Sequence, residues 1–225
     1  MKEVLLDVKF IDQEEDFFCG PAVALMILRF HRAKVSPSST KAGLKQAPGR
    51  AATRADLERL WCAISLVPPD APYDPPPGPC QGERRGVFQL FYRCDDASQC
   101  RAWFTVPGAL QTVLNDRLSA RKRMITVRDD NAEPRVATTA IRDSIDRKRP
   151  AAALVGNGGS HWVVVRGYQT RADDELLEFI YIRDPQNDEG DLHMLPATDT
   201  GLAPLSVVSC GPAADADRFV VITGR

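Results

Sequence analysis

The stretch Gln13-Glu-Glu-Asp-Phe-Phe-Cys19-Gly-Pro-Ala-Val-Ala-Leu-Met-Ile-Leu28 places a cysteine at the start of an amphipathic helix. Apolar residues follow Cys19 at helical spacing, and Pro21 suits the first turn, where its missing N–H removes no hydrogen bond. A helix N-terminus carries partial positive charge and unpaired N–H groups, which stabilise a thiolate and can hold an oxyanion. The stretch therefore predicts a helix over residues 19–32 that begins with a nucleophilic thiol.

Two later apolar runs supply the partners that such a thiol needs. His161 opens the run that ends at Tyr168, and Asp184 closes the run that starts at Leu177. The polar residues 170–175 between the runs predict a β-hairpin. A hairpin centred within that turn pairs His161 directly with Asp184 on one face of the sheet. We then expect the carboxylate to hold one ring nitrogen of His161, which leaves the other nitrogen for the thiol.

These residues together predict a catalytic triad. Cys19 would act as the nucleophile, His161 as the base and then the acid, and Asp184 as the group that orients the imidazole. Gln13 would be a fourth member, because its side-chain N–H and the backbone N–H of Cys19 could bind an oxyanion. One such donor contributes roughly 3 kcal/mol in other enzymes.

Each of these residues also has a structural interpretation. A free cysteine is commonly a small buried hydrophobe, and His161 could be a hydrogen-bonded histidine at a strand end. The other histidines suit the role of base less well. His31 follows Cys19 by twelve residues on the same predicted helix, which separates them by about 18 Å along its axis. His193 follows an acidic turn and is expected at the surface.

Four motifs occur in an order that resembles a known family. Gln13, the run Cys19–Ala22, the run His161–Tyr168 and the run Ile182–Pro185 resemble papain-like cysteine peptidases of the bacteriocin-processing type, which cleave leader peptides after a double glycine. The resemblance implies a papain-like fold, in which a helical half packs on an antiparallel sheet half with the active site in the cleft between them. It also implies the same roles for Gln13, Cys19, His161 and Asp184.

The resemblance covers residues 5–30 and 135–186, about a third of the chain. The sequence departs from the family pattern because it includes no transmembrane transporter domain and carries an extra middle segment rich in cysteine and proline. The leader-peptide substrate is therefore not carried over to this chain.

The order of predicted elements favours an α+β fold, since helices come first and strands later. We expect one domain over residues 1–225, with a helical half over 1–123, a sheet half over 124–225 and a proline-rich surface segment over 67–80. The predicted helices after the first are 53–62, capped by Thr53, then 107–121 and 134–148. The predicted strands are 87–92, 124–127, 151–155, 161–168, 177–183, 205–209 and 219–222.

The resemblance implies a peptide or protein substrate, and composition and charge indicate no other class of partner. The net charge is −1, and two short basic runs, 121–123 and 147–149, each end a predicted helix, so they do not indicate nucleic-acid binding. No apolar run reaches the roughly 20 residues of a membrane span, and the first residues lack the apolar stretch of a signal peptide. We expect a cytoplasmic protein without a membrane span, a metal or another cofactor.

Six cysteines leave two alternatives open besides the nucleophile. Free thiols are expected in a chain of this length without a secretory signal. Zinc binding by Cys62 with Cys80, Cys94 and Cys100 is less favoured, because the spacing contains no C-x-x-C pair. The six are Cys19, Cys62, Cys80, Cys94, Cys100 and Cys210.

The sequence thus predicts a thiol-dependent peptidase that works through a thioester acyl-enzyme. An acyltransferase or transpeptidase would use the same triad with an amine or thiol acceptor, as in phytochelatin-synthase-like relatives. Transglutaminase-like enzymes share the residue types but usually have a much shorter gap between cysteine and histidine. A peptide-binding module with a silent site is the alternative from another functional class. The substrate sequence and the oligomeric state stay open.

Overall fold

The computed structural model describes helices and antiparallel strands, so the α+β expectation is confirmed at the level of fold class. The described residues are 1–14, 18–35, 50–65, 87–91, 101–105, 107–129, 134–155, 161–171, 177–187, 193–196 and 219–225. The helices are α1 (Cys19–Phe30), α2 (Arg50–Ser65), α3 (Pro107–Asn115) and α4 (Arg135–Asp146). Among the described residues, no helix combines the length and the apolar character needed to cross a membrane.

The strands form one large sheet and one small one. Seven strands make the large sheet, in the order β4-β9-β5-β6-β7-β8 with β1 on β6, and β2 pairs with β3 separately. Every pairing is antiparallel. The strands are β1 (Glu3–Leu5), β2 (Val87–Phe91), β3 (Arg101–Thr105), β4 (Met124–Asp129), β5 (Ala151–Val155), β6 (His161–Thr170), β7 (Leu177–Arg183), β8 (His193–Pro196) and β9 (Phe219–Gly224).

The centre of the large sheet is β6, which explains its nearly continuous apolar sequence. All its residues from Trp162 to Tyr168 are buried, as is the whole of β5. Strands buried on both faces need apolar side chains at every position instead of alternating ones. The first half of β6 pairs with β5, while its second half pairs with β1, and β7 covers its other edge.

Helix α1 lies at the centre of the helical layer. It packs against β6, α2 and α3, and every residue from Cys19 to Leu28 is buried. The sequence predicted an apolar stripe on one face, and the structure goes further, since a helix covered on all sides has no solvent face. The helix ends after Phe30, and Arg32 in the left-handed region (φ 54°) turns the chain away.

Several element boundaries differ from those expected. Helix α2 begins at Arg50, so Thr53 lies inside the helix and does not cap it. The strands β1, β3 and β8 were not predicted, because they have only three to five residues and a weak period-two pattern. The expected strand over 205–209 and the proline-rich segment 67–80 lie outside the described residues.

Cys62 on α2 forms a disulfide, and its partner cysteine lies outside the described residues. The expectation of free thiols is therefore wrong for Cys62, which also removes it from the alternative zinc site. Connectivity of this kind cannot be deduced from spacing in one sequence. Among the described cysteines, Cys19 is free.

His31, the residue directly after α1, has surroundings that favour its neutral imidazole. Its ring meets the ring of Phe30 edge-on, with 5.2 Å between centroids, and within the described chain its buried Nε2 has no hydrogen-bond partner. Burial, with the positive charges of Lys122 and Arg149 nearby, lowers the pKa of His31 to about 4. Protonating this imidazole in the folded state is therefore unfavourable.

We predict that His31→Gln makes the protein less sensitive to acid. The unfolded chain binds a proton at residue 31 near pH 6.5 and the folded chain only near pH 4, so wild-type stability falls as the pH drops through that interval. The loss is on the order of 1 kcal/mol after solvent screening. Urea unfolding of both proteins at pH 7 and pH 4.5 measures it. Equal acid losses in the two proteins would contradict the prediction.

Candidate active site

Cys19 is the first residue of α1, at the end of the helix where backbone N–H groups have no intrahelical hydrogen-bond acceptor. The first helical hydrogen bond runs from the N–H of Ala22 to the carbonyl of Phe18 (2.8 Å), and the Phe18 side chain makes no capping hydrogen bond. No acidic residue occupies this first turn. The partial positive charge of the helix end is therefore not offset by an acidic side chain in its own first turn.

The free thiol of Cys19 is buried, with 4% of the residue exposed. Burial alone would suit a small hydrophobe, but this thiol also interacts with a titratable group. Cys19 is one of the two side chains that raise the pKa of His161, so the thiol and the imidazole are electrostatically coupled. The sulfur and the imidazole thus share one pocket, although 142 residues of sequence separate them.

The other partner of His161 is Asp184. His161 Nε2 lies 2.6 Å from Asp184 Oδ1, and about four fifths of each side chain is covered. A bond at Nε2 leaves Nδ1 as the ring nitrogen for the thiol. The structure therefore pairs the imidazole with the carboxylate through Nε2.

The strand register that achieves this arrangement differs from the expected one. Val164 pairs with Arg183, so continuing the ladder puts Asp184 opposite Val163 and not opposite His161. The register of the β6–β7 ladder shifts twice, between Val165 and Gly167 and near Thr170. The predicted pairing was therefore wrong by two residues. A slip of two keeps side chains on the same face, so His161 and Asp184 become diagonal neighbours within reach of each other.

The turn after β7 fixes the carboxylate of Asp184. Its Oδ1 accepts a second hydrogen bond from the N–H of Gln186 (2.9 Å), and its carbonyl accepts one from the N–H of Asn187 (3.1 Å). Pro185 between them restricts Asp184 to extended backbone. The turn thus fixes the carboxylate independently of its bond to His161, which suits a static orienting group.

The electrostatics of the site favour a protonated imidazole. Burial alone would lower the pKa of His161, but hydrogen bonds and charge from Asp184 and Cys19 outweigh it and raise the pKa to about 10. At neutral pH the ring therefore carries a proton on each nitrogen.

Gln13 reaches the site through its backbone. Its N–H donates to the carbonyl of Pro185 (2.9 Å), which fixes the segment before α1 beside the Asp184 turn. The residue is 5% exposed, and its Oε1 accepts no hydrogen bond from the described residues. A buried amide with unfilled hydrogen-bonding capacity is unusual and calls for an explanation.

Arg54 on α2 contacts Glu14 and Phe18, the two described residues between Gln13 and Cys19. Sequence reasoning missed these contacts. Its Nη1 lies 3.7 Å from Glu14 Oε2, and its guanidinium lies over the ring of Phe18, 5.1 Å from the centroid. Glu14 has a left-handed backbone (φ 61°), and its N–H bonds Asp12 Oδ1 (2.6 Å). Spacing along the chain gives no signal for such a contact between elements.

Within the described residues, no group of three or more histidine, cysteine, aspartate or glutamate side chains has the geometry of a metal site. Cys80, Cys94 and Cys100, the remaining members of the alternative zinc site, lie outside those residues. What the site contains is an imidazole bonded to a carboxylate and coupled electrostatically to a thiol, with a buried amide beside the Asp184 turn. This set of groups is suited to nucleophilic catalysis with proton transfer.

We predict that Asp184→Asn lowers the pKa of His161 markedly, because it removes the carboxylate charge that opposes burial. Titration of the His161 ring followed by NMR measures the pKa. Asp143→Asn, at an exposed position on α4, is the matched control and leaves the value unchanged. Cys19→Ala lowers it as well, since the thiol also supports the charged ring.

The same shift has a consequence for stability. The folded protein keeps a proton on His161 that the unfolded chain releases above about pH 6.5. The stabilisation is therefore complete below that pH and is lost as the pH rises towards about 10. A His161 pKa in Asp184→Asn equal to that of the wild type would contradict the account of this site.

Comparison with known proteins adds no relative to this geometry. No protein-family model matches the chain, and neither the curated proteins nor the solved structures that were compared contain a match.

Proposed function

We propose that the chain is a cysteine peptidase of papain-like fold, which hydrolyses peptide bonds through a thioester acyl-enzyme. The observation that carries the proposal is the position of His161, which hydrogen-bonds Asp184 and is electrostatically coupled to a free thiol at a helix N-terminus. A nucleophilic helix packed on an antiparallel sheet that carries the base also supports it. The resemblance of the four sequence motifs points to the same chemistry.

The reaction begins with the thiolate of Cys19 beside the imidazolium of His161. The sulfur attacks the carbonyl carbon of a substrate amide, and the carbonyl oxygen becomes an oxyanion. The N–H of Cys19 and the side-chain amide of Gln13 hold this oxyanion. A half-turn of the Gln13 amide exchanges its oxygen and nitrogen, so the buried group can present an N–H to the substrate.

The proton on His161 completes the first half of the reaction. It passes to the leaving amine, the C–N bond breaks, and a thioester joins the acyl group to Cys19. In the second half, neutral His161 takes a proton from water, which attacks the thioester and releases the acid. Asp184 stays ionised throughout, because it orients the ring and stabilises its charge without accepting the proton.

We predict that the wild type cleaves members of a peptide library and that Cys19→Ala cleaves none. His161→Ala lowers kcat by about 10²- to 10⁴-fold, since it removes the general acid and base. His31→Gln is the matched control, because that imidazole lies at the opposite end of α1. Mass spectrometry of the products, with alkylation of Cys19 followed in parallel, provides the measurements.

Two outcomes would redirect the proposal. Rapid alkylation of Cys19 without hydrolysis, together with product formation when an amine or thiol acceptor is added, would identify an acyltransferase. Slow alkylation that follows ordinary thiol titration and is unaffected by His161→Ala would identify a peptide-binding module with a silent site.

We predict that Gln13→Ala lowers kcat by about 10²- to 10³-fold with little change in KM, because an oxyanion donor acts in the transition state. Gln13→Glu has nearly the same shape and replaces the N–H donor by a negative oxygen, so it loses at least as much activity. Steady-state kinetics on one cleaved peptide measures both variants. Wild-type kcat in Gln13→Ala would remove Gln13 from the mechanism.

A further inference from the structure

The residue after the nucleophile has no room for a side chain. A Cβ added to Gly20 would lie 2.2 Å from Thr105 Oγ1, 2.5 Å from Thr105 Cβ and 2.8 Å from Thr105 Cγ2. Contacts this short do not occur between real side chains, and Thr105 Cβ is fixed to the backbone, so a rotamer change cannot relieve them. The first turn of α1 therefore rests directly on Thr105.

The residue after the base contacts the same threonine. Trp162 follows His161 on β6, and its indole N–H donates a hydrogen bond of 2.8 Å to the carbonyl of Thr105. Both Trp162 and Thr105 are fully buried. The indole is thus held by a polar contact as well as by packing, and a buried N–H without this acceptor would be unfavourable.

Thr105 itself belongs to neither of the two elements that carry the reacting groups. It ends β3, which among the described strands pairs with β2 alone, and Pro107 begins α3 two residues later. Its side chain meets α1 and its carbonyl meets β6. The residue therefore lies between the helix that carries Cys19 and the strand that carries His161.

We propose that Thr105 is a positioning residue that sets the separation between the Cys19 thiol and the His161 imidazole. The inference rests on the proposed function and extends it to a residue that does not touch the reacting atoms. Catalysis by paired groups is sensitive to such spacing, because a displacement of about 1 Å can lower a rate about 10²-fold.

The contribution of Thr105 is its shape. Its Oγ1 is buried and makes no hydrogen bond within the described part of the chain. The side chain therefore serves as a branched spacer against Gly20. Valine has the same branching and nearly the same volume without the hydroxyl, whereas alanine removes both branches and leaves a gap.

The experiment compares variants at the two contact positions by two measurements. Thr105→Ala lowers kcat by about 10- to 100-fold with KM nearly unchanged, and it lowers the pKa of His161 because the thiol moves away from the ring. Thr105→Val restores the spacer, so its kcat lies within about three-fold of the wild-type value and its His161 pKa returns to that of the wild type. Thr126→Ala on β4 is the control for losing a threonine whose buried hydroxyl likewise makes no hydrogen bond within the described chain, although the residue itself is half-buried, and it leaves both values unchanged.

A double-mutant cycle tests the contact directly. Gly20→Ala lowers kcat by at least about 10²-fold, because the added methyl pushes α1 away from Thr105. Adding Thr105→Gly removes the opposing atoms, so Gly20→Ala/Thr105→Gly has a higher kcat than Gly20→Ala alone. If Gly20→Ala does not fold, the comparison of Thr105→Ala with Thr105→Val decides the matter.

Three results would overturn the inference. These are a folded Thr105→Ala variant with the wild-type kcat and His161 pKa, a Thr105→Val variant as impaired as Thr105→Ala, or additive effects in the cycle. The NMR titration of His161 needs no substrate. A wild type that cleaves no peptide, but whose His161 pKa responds to Thr105→Ala, would reject the peptidase proposal and support the positioning role.

Discussion

The packing of α1 against β6 is the contact on which the rest of this structure depends. The helix is covered on all sides from Cys19 to Leu28, and β6 is the central strand of the large sheet. Burial of apolar side chains at this contact provides most of its stability, at about 25 cal/mol per Å² of surface removed from water. The same contact brings the first residue of the helix to the first residue of the strand. Stability and site geometry thus share one interface.

This arrangement explains how polar groups persist in an apolar interior. A buried imidazolium is unfavourable by itself, and a buried carboxylate or thiolate equally so. In this protein the charges compensate one another: the carboxylate of Asp184 is held by its own turn and by His161, and the imidazole is stabilised by Asp184 and Cys19. Removing one member leaves the others buried and uncompensated, so the three groups act as a unit.

The sequence was informative where periodicity is strong and local. The apolar spacing after Cys19 and the runs that form β6 and β7 predict their elements to within two residues. The hairpin register was wrong by two residues at the turn itself, where Thr170 pairs with Leu177, and the two register shifts further along the ladder cancel each other. No residue pattern signals this offset. The two catalytic candidates still meet because the error was an even number of residues. The face of the sheet on which a residue lies is easier to predict than the residue with which it pairs.

Contacts between distant elements had no comparable signal. Thr105 and Gly20 are 85 positions apart, and β3 is too short for its pattern to predict a strand. Arg54 contacts Glu14 and Phe18 through side chains from different elements. The sequence shows a glycine after Cys19, but only the fold shows why a side chain is excluded there. A Cβ would clash with Thr105, whereas the backbone conformation does not require glycine. Such constraints arise from packing, which one sequence does not display.

The sulfur chemistry of the chain sets conditions on handling it. Cys19 must stay reduced to act as a nucleophile, while Cys62 is oxidised to a cystine. Thiolates attack disulfides by exchange. An excess of a strong thiol reductant that keeps Cys19 reduced therefore also reduces the disulfide of Cys62. Purification and storage buffers therefore need a mild, defined thiol–disulfide ratio, and mass spectrometry of intact protein shows when both oxidation states are retained.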